Sequence, residues 1–160
     1  MLVGIMSDTH DHLDNMKKAV ALFQEKGVSH IIHAGDFTSP FAFRALKGFQ
    51  GGLTAIFGNN DGDRIMIKKM FGESVHVQPY VFSLHERKFV VVHEHYVVDA
   101  LAASGMYDVV VYGHTHEPVI KTVGNTLVLN PGEACGWLYG KPTVALLNLD
   151  NLNAEIVPLF

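Results

Sequence analysis

Short apolar runs alternate with segments in which apolar residues recur every three or four positions, and polar residues gather where each run stops. Leu2–Met6 reads as a strand. Asp11 then stands where a helix N-cap would, with Asp14 three residues on. It opens a predicted helix to about Lys26 whose Leu13, Met16, Val20 and Phe23 share one face. Val28–His33 predicts a second strand, Pro40–Lys47 a short helix and Leu53–Phe57 a third strand, with Asp63 capping a helix over Arg64–Phe71. After Gly72 the pattern turns towards β. Tyr80–Leu84 and Lys88–Val92 predict a hairpin, Tyr96–Ser104 a helix stopped by Gly105, and Asp108–Tyr112 a buried strand. Val119–Val123 and Thr126–Leu129 flank Gly124-Asn125, the two-residue loop of a type II′ hairpin. Val144–Leu149 and Ala154–Pro158 complete the strands. With no linker, repeat or low-complexity stretch between them, residues 1–160 are expected to form one α/β domain.

The polar residues at the strand ends are of few types. Leu2–Met6 runs into Ser7-Asp8-Thr9-His10, Val28–His33 into Ala34-Gly35-Asp36, and Leu53–Phe57 into Gly58-Asn59-Asn60-Asp61. Lys88–Val92 runs into His93-Glu94-His95, and Asp108–Tyr112 into Gly113-His114-Thr115-His116. Ligands of open α/β sheets bind beyond the carboxyl ends of the strands, so five such ends would converge on one rim. Asp-x-His and His-x-His put alternate side chains of an extended segment on one side, where each pair can grip one ion. Carboxylate, imidazole and amide oxygen without thiolate suit Mn²⁺, Zn²⁺, Fe²⁺ or Ni²⁺. Glycines 35, 58 and 113 are expected to let the backbone turn and bring the next side chain inward. Taken singly, each piece also reads as a turn, a helix cap or a packed histidine; all five in this order carry the metal reading.

Composition narrows the partners. The net charge is −4 and the twelve lysines and arginines form no cluster larger than a pair, which argues against an extended nucleic-acid surface. No apolar run approaches the roughly 18 residues of a membrane span. Cys135 is the only cysteine, so no internal disulfide forms, and a cytoplasmic location is expected. Association with further copies of the chain is left open.

In order, these residues resemble the calcineurin-like metallophosphoesterase superfamily, with its Asp-x-His, Gly-Asp, Gly-Asn-His-Asp, later histidine and Gly-His-x-His, here running from Asp8 to His116. Asn130-Pro131-Gly132 is similar to the small bacterial and archaeal phosphodiesterase branch. The resemblance implies a four-layer α/β/β/α sandwich of two mixed sheets flanked by helices. It implies that Asp8, His10 and His116 hold one divalent ion and Asn59, His93 and His114 a second, with Asp36 between them. Mn²⁺ is the expected ion, with Ni²⁺, Zn²⁺ or Fe²⁺ as alternatives. The implied reaction is hydrolysis of a phosphodiester in a small phosphorylated substrate by a metal-activated hydroxide, both ions stabilising the in-line transition state.

Two positions depart from the family pattern. Asn60 stands where most members keep a catalytic histidine; its amide can donate to a phosphoryl oxygen but cannot act as an acid near neutral pH. Glu94 replaces the usual glycine after the later histidine, and either repels a dianionic monoester or points away. A phosphomonoesterase is one alternative. A scaffold protein of the same fold is another, since a eukaryotic member of the branch serves a membrane-sorting complex with a degraded metal site; all seven positions here retain chelating types. Arg64 is weighed as a phosphate contact against a surface arginine, and His12 and His95 as residues at the mouth of the site.

Overall fold

A computed structural model describes residues 1–160. Eleven strands and four α-helices form two mixed sheets. The first sheet has the order β11 (Asn153–Pro158), β10 (Thr143–Asn148), β1 (Leu2–Met6), β2 (His30–His33), β3 (Gly52–Ile56) and β4 (Val75–His76). Strands β1 to β4 run parallel, and β10 and β11 add antiparallel strands at one edge. The second sheet has the order β5 (Tyr80–Leu84), β6 (Arg87–Val91), β7 (Val109–Val111), β9 (Thr126–Pro131) and β8 (Pro118–Val123). Here β6, β7 and β9 are parallel, with β5 and β8 antiparallel on the flanks.

Alternation along the strands decides the layers, because successive side chains leave opposite faces. Val3 and Ile5 of β1, Ile32 of β2, and Val109 and Val111 of β7 meet between the sheets. Met6 and Ile31 face the other way, against α1 (Leu13–Glu25), α2 (Phe43–Leu46) and α3 (Arg64–Phe71), through Met16, Val20, Phe23, Leu46, Ile67 and Phe71. Val90, Val110 and Val128 leave the outer face of the second sheet to pack on α4 (Val98–Ala103) through Val98 and Ala102. Helices, sheet, sheet and helix therefore stack as the resemblance implied.

Three local features differ from the sequence expectation. The cap of α1 is His12, whose Nδ1 accepts from Asn15 N at 3.3 Å. Asp11 is committed elsewhere, its Oδ1 accepting from Ser39 Oγ at 2.7 Å. The two-residue strand β4 was not expected, since Val75-His76 is too short to show a period. Pro40–Ala42 forms a 3₁₀ turn before the single turn of α2, in place of one continuous helix. Of the pair at the β8–β9 turn only Gly124 has a left-handed φ, 58°, as a type II′ loop requires.

Candidate metal centre

The carboxyl ends of β1, β2 and β3 in one sheet and of β6 and β7 in the other open onto the same edge of the sandwich. The loops there are laced to one another. Asp8 N donates to Gly35 O at 3.1 Å, and Thr9 N and His10 N both donate to Asp36 O at 3.0 Å. Gly113 N donates to His93 O at 3.1 Å, and His114 N to Asp8 Oδ2 at 3.0 Å. Asp8, His10, Asp36, His114 and His116 have φ of 52°, 40°, 60°, 67° and 62°. A side-chain-bearing residue held there stores about 1 kcal/mol or more of strain. Five of the seven predicted ligands carry that strain, and the lacing holds them in it.

The glycines act differently from expectation. Gly35 is left-handed, φ 98°, but Gly58 and Gly113 are needed for space: a methyl group on Gly58 would strike Asp36 Oδ1, and one on Gly113 would strike Ser7 Oγ and Asp8 Oδ2. Close packing of loop against carboxylate, more than turning, demands glycine at those two places.

All seven predicted residues come together. Asp8 Oδ1 stands 3.3 Å from His116 Nε2, 3.9 Å from His10 Nε2 and 4.0 Å from His93 Nε2. Asp36 Oδ2 stands 3.3 Å from His93 Nε2 and 3.6 Å from His10 Nε2. His114 Nδ1 and Asn59 Oδ1 are 2.9 Å apart. Atoms that share an ion at about 2.1 Å stand roughly 3–4 Å from one another. That suits Asp8, His10 and His116 as one ligand group and Asp8, Asp36 and His93 as another, while Asn59 and His114 are hydrogen-bonded to each other beside them. Asp8, Asp36 and His93 are buried, while Asn59 lies open to solvent.

Two atoms test whether a cation belongs here. Three buried side-chain atoms have no hydrogen-bond partner, Ser7 Oγ, Asp8 Oδ1 and His93 Nε2, and the last two belong to candidate ligands; the 3.3 Å approach of His93 to Asp36 lacks hydrogen-bond alignment. His93 Nδ1 donates to Ala34 O at 2.8 Å, which leaves the Nε2 lone pair of the neutral ring facing the carboxylates. Burial pushes the Asp8 carboxyl up, against the pull of His93, Ser7 and His116. Burial also opposes ionisation of Asp36, but His93 and the backbone and side-chain N–H of Asn60 outweigh it and hold the carboxyl far below its ordinary range. For His93 burial favours the neutral ring, yet Asp36 and then Asp8 raise it to about 9. Two buried carboxylates thus set up a demand for positive charge around the His93 ring. Divalent cations would answer the same demand more fully and use the partnerless atoms as ligands, so the residues fit the group.

The surroundings assign several other residues. Asn60 N and Nδ2 donate to Asp36 Oδ1 and Oδ2, each at 2.8 Å. Asp61, buried, accepts from the backbone N–H of Gly58, Thr38 and Asp36 at 2.7, 2.7 and 3.1 Å. Arg64 turns back onto this loop, donating to Gly58 O at 2.7 Å. Glu94 is held by Gln78 Nε2 at 2.5 Å. His95 stacks on His114, centroids 5.9 Å apart. Sequence reasoning missed Glu133, whose Oε2 stands 2.8 Å from His116 Nδ1 while the carboxylate also accepts from Leu138 N and Tyr139 N. Burial opposes ionisation of Glu133, but these three donors outweigh it and lower its pKa. Cys135 lies 3.5 Å from that carboxylate and close to His116, but burial pushes its thiol up to about 12, which leaves it protonated and a poor ligand. A cleft of about 300 Å³ beside the cluster is lined by His10, Asn60, His116, Trp137 and Leu138.

Residues 1–152 match the family model of the calcineurin-like phosphoesterase superfamily domain. A phosphodiesterase of Methanocaldococcus jannaschii is 42% identical over 156 residues, spanning 94% of this chain and 94% of that one. A solved archaeal phosphodiesterase superposes with a TM-score of 0.92 at 39% identity, over 99% of each chain. The fold alone is shared with the zinc complex of Vps29 from Entamoeba histolytica, TM-score 0.70 and 19% identity over 100% of each chain. By sequence over nearly its whole length, the chain belongs to the calcineurin-like phosphoesterase superfamily.

Proposed function

We propose that the chain is a phosphodiesterase that works with two divalent ions, Mn²⁺ first among them, on a small phosphorylated substrate. The observation that carries this is the pair of buried, partnerless atoms Asp8 Oδ1 and His93 Nε2, 4.0 Å apart at the centre of the cluster. Asp8, His10 and His116 would hold one ion, Asn59, His93 and His114 the other, and Asp36 would serve both. Ions held there supply an acidified water and positive charge for the phosphoryl oxygens.

The remaining tasks fall to the protein. Lacing of the loops fixes Asp8 and Asp36 before any substrate arrives. Asn60 spends one Nδ2 hydrogen on Asp36, and its second is available to a phosphoryl oxygen. It has no proton to give the departing oxygen near neutral pH, so good leaving groups suffer least. The cleft offers no arginine or lysine to meet the second negative charge of a monoester, which favours the diester. The name of the relative that is 42% identical agrees with that preference.

Metal analysis of the purified protein, followed by assays of bis-p-nitrophenyl phosphate and p-nitrophenyl phosphate with Mn²⁺, Ni²⁺, Zn²⁺ and Mg²⁺, tests the proposal. Faster Mn²⁺-dependent turnover of the diester is expected, and Asp36→Asn should bring it to background. Asn60→His should raise rates on esters with poor leaving groups by up to about 100-fold. Bound ions with no turnover of either ester would sink the reading.

A further inference from the structure

Trp137 is the only tryptophan of the chain and stands 65% exposed on the rim of the cleft that contains His10, Asn60 and His116. A lone exposed apolar residue is ordinary by itself. Two further observations set this one apart. Its ring lies 6.3 Å from that of His10 with the planes 21° apart, and 6.0 Å from His12. The loop that carries it is also fixed. Leu138 N and Tyr139 N donate to Glu133 at 2.9 and 2.7 Å, and this same carboxylate stands 2.8 Å from His116 Nδ1. Gly140 N closes the loop on Gly136 O at 3.1 Å. One buried anion therefore orients a candidate metal ligand and, at the same time, the loop that presents an indole to water beside it.

We propose that Trp137 is a specificity-determining residue, on which a flat aromatic ring carried by one ester arm of the substrate stacks; this rests on the phosphodiesterase reading above. A diester has two arms, and the cleft is wider than the phosphoryl group alone needs. An indole fixed in advance offers a π-face at little entropic cost, and every nucleobase or aryl group presents a matching one. Tyr96 and Tyr139 are the other exposed aromatics nearby, but Tyr96 leans on His95 at 4.5 Å, Tyr139 Oη donates to Glu117 at 3.2 Å, and neither lines the cleft.

Being the sole tryptophan, Trp137 reports on itself. Fluorescence titrations of the Mn²⁺-loaded protein with the slowly cleaved diesters thymidine 5′-(methyl phosphate), phenyl methyl phosphate and dimethyl phosphate should show quenching by the two aromatic compounds and none by the third. In parallel, thymidine 5′-(p-nitrophenyl phosphate), phenyl p-nitrophenyl phosphate and methyl p-nitrophenyl phosphate share a leaving group and differ in the other arm. Trp137→Ala should lower the ratio of kcat/KM for the aromatic arms over the methyl arm by about 5- to 20-fold, through KM. Trp137→Phe should restore most of that ratio. A nucleobase-specific platform changes only the thymidine ratio, whereas a general one changes both. Equal quenching by all three ligands, no quenching at all, or a ratio unmoved by Trp137→Ala overturns the proposal. Quenching by aromatic ligands without hydrolysis of any ester would instead sink the phosphodiesterase reading and leave the platform standing.

Discussion

Glu133 shows how a single side chain far along the chain governs the candidate site. Its carboxylate lies against the outward nitrogen of His116, fixing the ring so that Nε2 faces Asp8. Loss of such a partner typically weakens metal binding about 10- to 100-fold, so Glu133→Gln should raise the Mn²⁺ dissociation constant by that factor in a calorimetric titration. An unchanged constant would reduce Glu133 to a loop staple. Nothing at Asn130-Pro131-Gly132-Glu133 signals this in the sequence, because the partner is 17 positions away. His33 is the converse case, a histidine beside the site whose atoms are all committed. Its Nδ1 accepts from Gly35 N at 3.2 Å, so Nε2 carries the proton and donates to Thr9 Oγ1 at 3.0 Å. Burial, with His93 adding repulsion, pulls its pKa from 6.5 down to about 3. The folded chain therefore binds fewer protons than the unfolded one between those values. The His33 contribution to stability is complete above pH 6.5 and is lost as pH falls towards 3. In chelator, the urea midpoint of the parent should drop more between pH 7 and pH 5 than that of His33→Gln. Equal drops would contradict the assignment.

Among the elements, the loop from β3 to α3 divides its polar residues most sharply. Asn59 projects to His114, Asn60 grips Asp36, and Asp61 gathers three backbone N–H groups from two different loops. Asp63 then starts α3 from a left-handed conformation, φ 40°, accepting from Met66 N at 3.2 Å. Burial raises the Asp61 pKa, against those backbone donors. Removing the acceptor would leave buried N–H groups unsatisfied. Asp61→Ala should therefore cost about 1–3 kcal/mol in chemical unfolding, and a neutral result would mean that water or the loop itself compensates. The capping role of Asp63 is legible in the sequence because the cap and its partner lie three residues apart. The grip of Asp61 on Thr38 is not, since 23 positions separate them. Hairpin turns divide the same way. Both hairpins are legible from their flanking strands, but only Gly124 announces its turn type; His85 and Glu86, both at positive φ in the β5–β6 turn, carry no glycine to give that conformation away.

Across the molecule, the candidate ligands come from both sheets. Asp8, His10, Asp36 and Asn59 follow strands of the first, and His93, His114 and His116 follow strands of the second. Ions bound among them would tie the sheets together at one edge, adding to the apolar contact that joins them. Mn²⁺ at 100 times its dissociation constant should stabilise the fold by about 2.7 kcal/mol, a rise in Tm of roughly 5–10 °C. Asp36→Asn should lose most of that rise in a thermal scan, and a full rise in the variant would remove Asp36 from the metal site. The sequence by itself determined most of the strands and helices and the side-chain types at the strand ends, because alternation along a strand and the chemistry at its end are local properties; the layering was implied only by the family resemblance. The sequence also determined the order in which Asp8, Asp36, Asn59, His93 and His114 follow their strands. Only the tertiary structure decided which polar atoms are spent and which are free. His33 and His93 look alike along the chain, each closing or following a β-strand. Their partners, Thr9 and Gly35 for one and Ala34 and two carboxylates for the other, come from distant segments. A lone pair left without a partner is a property of the packed loops, and no period along the chain records it.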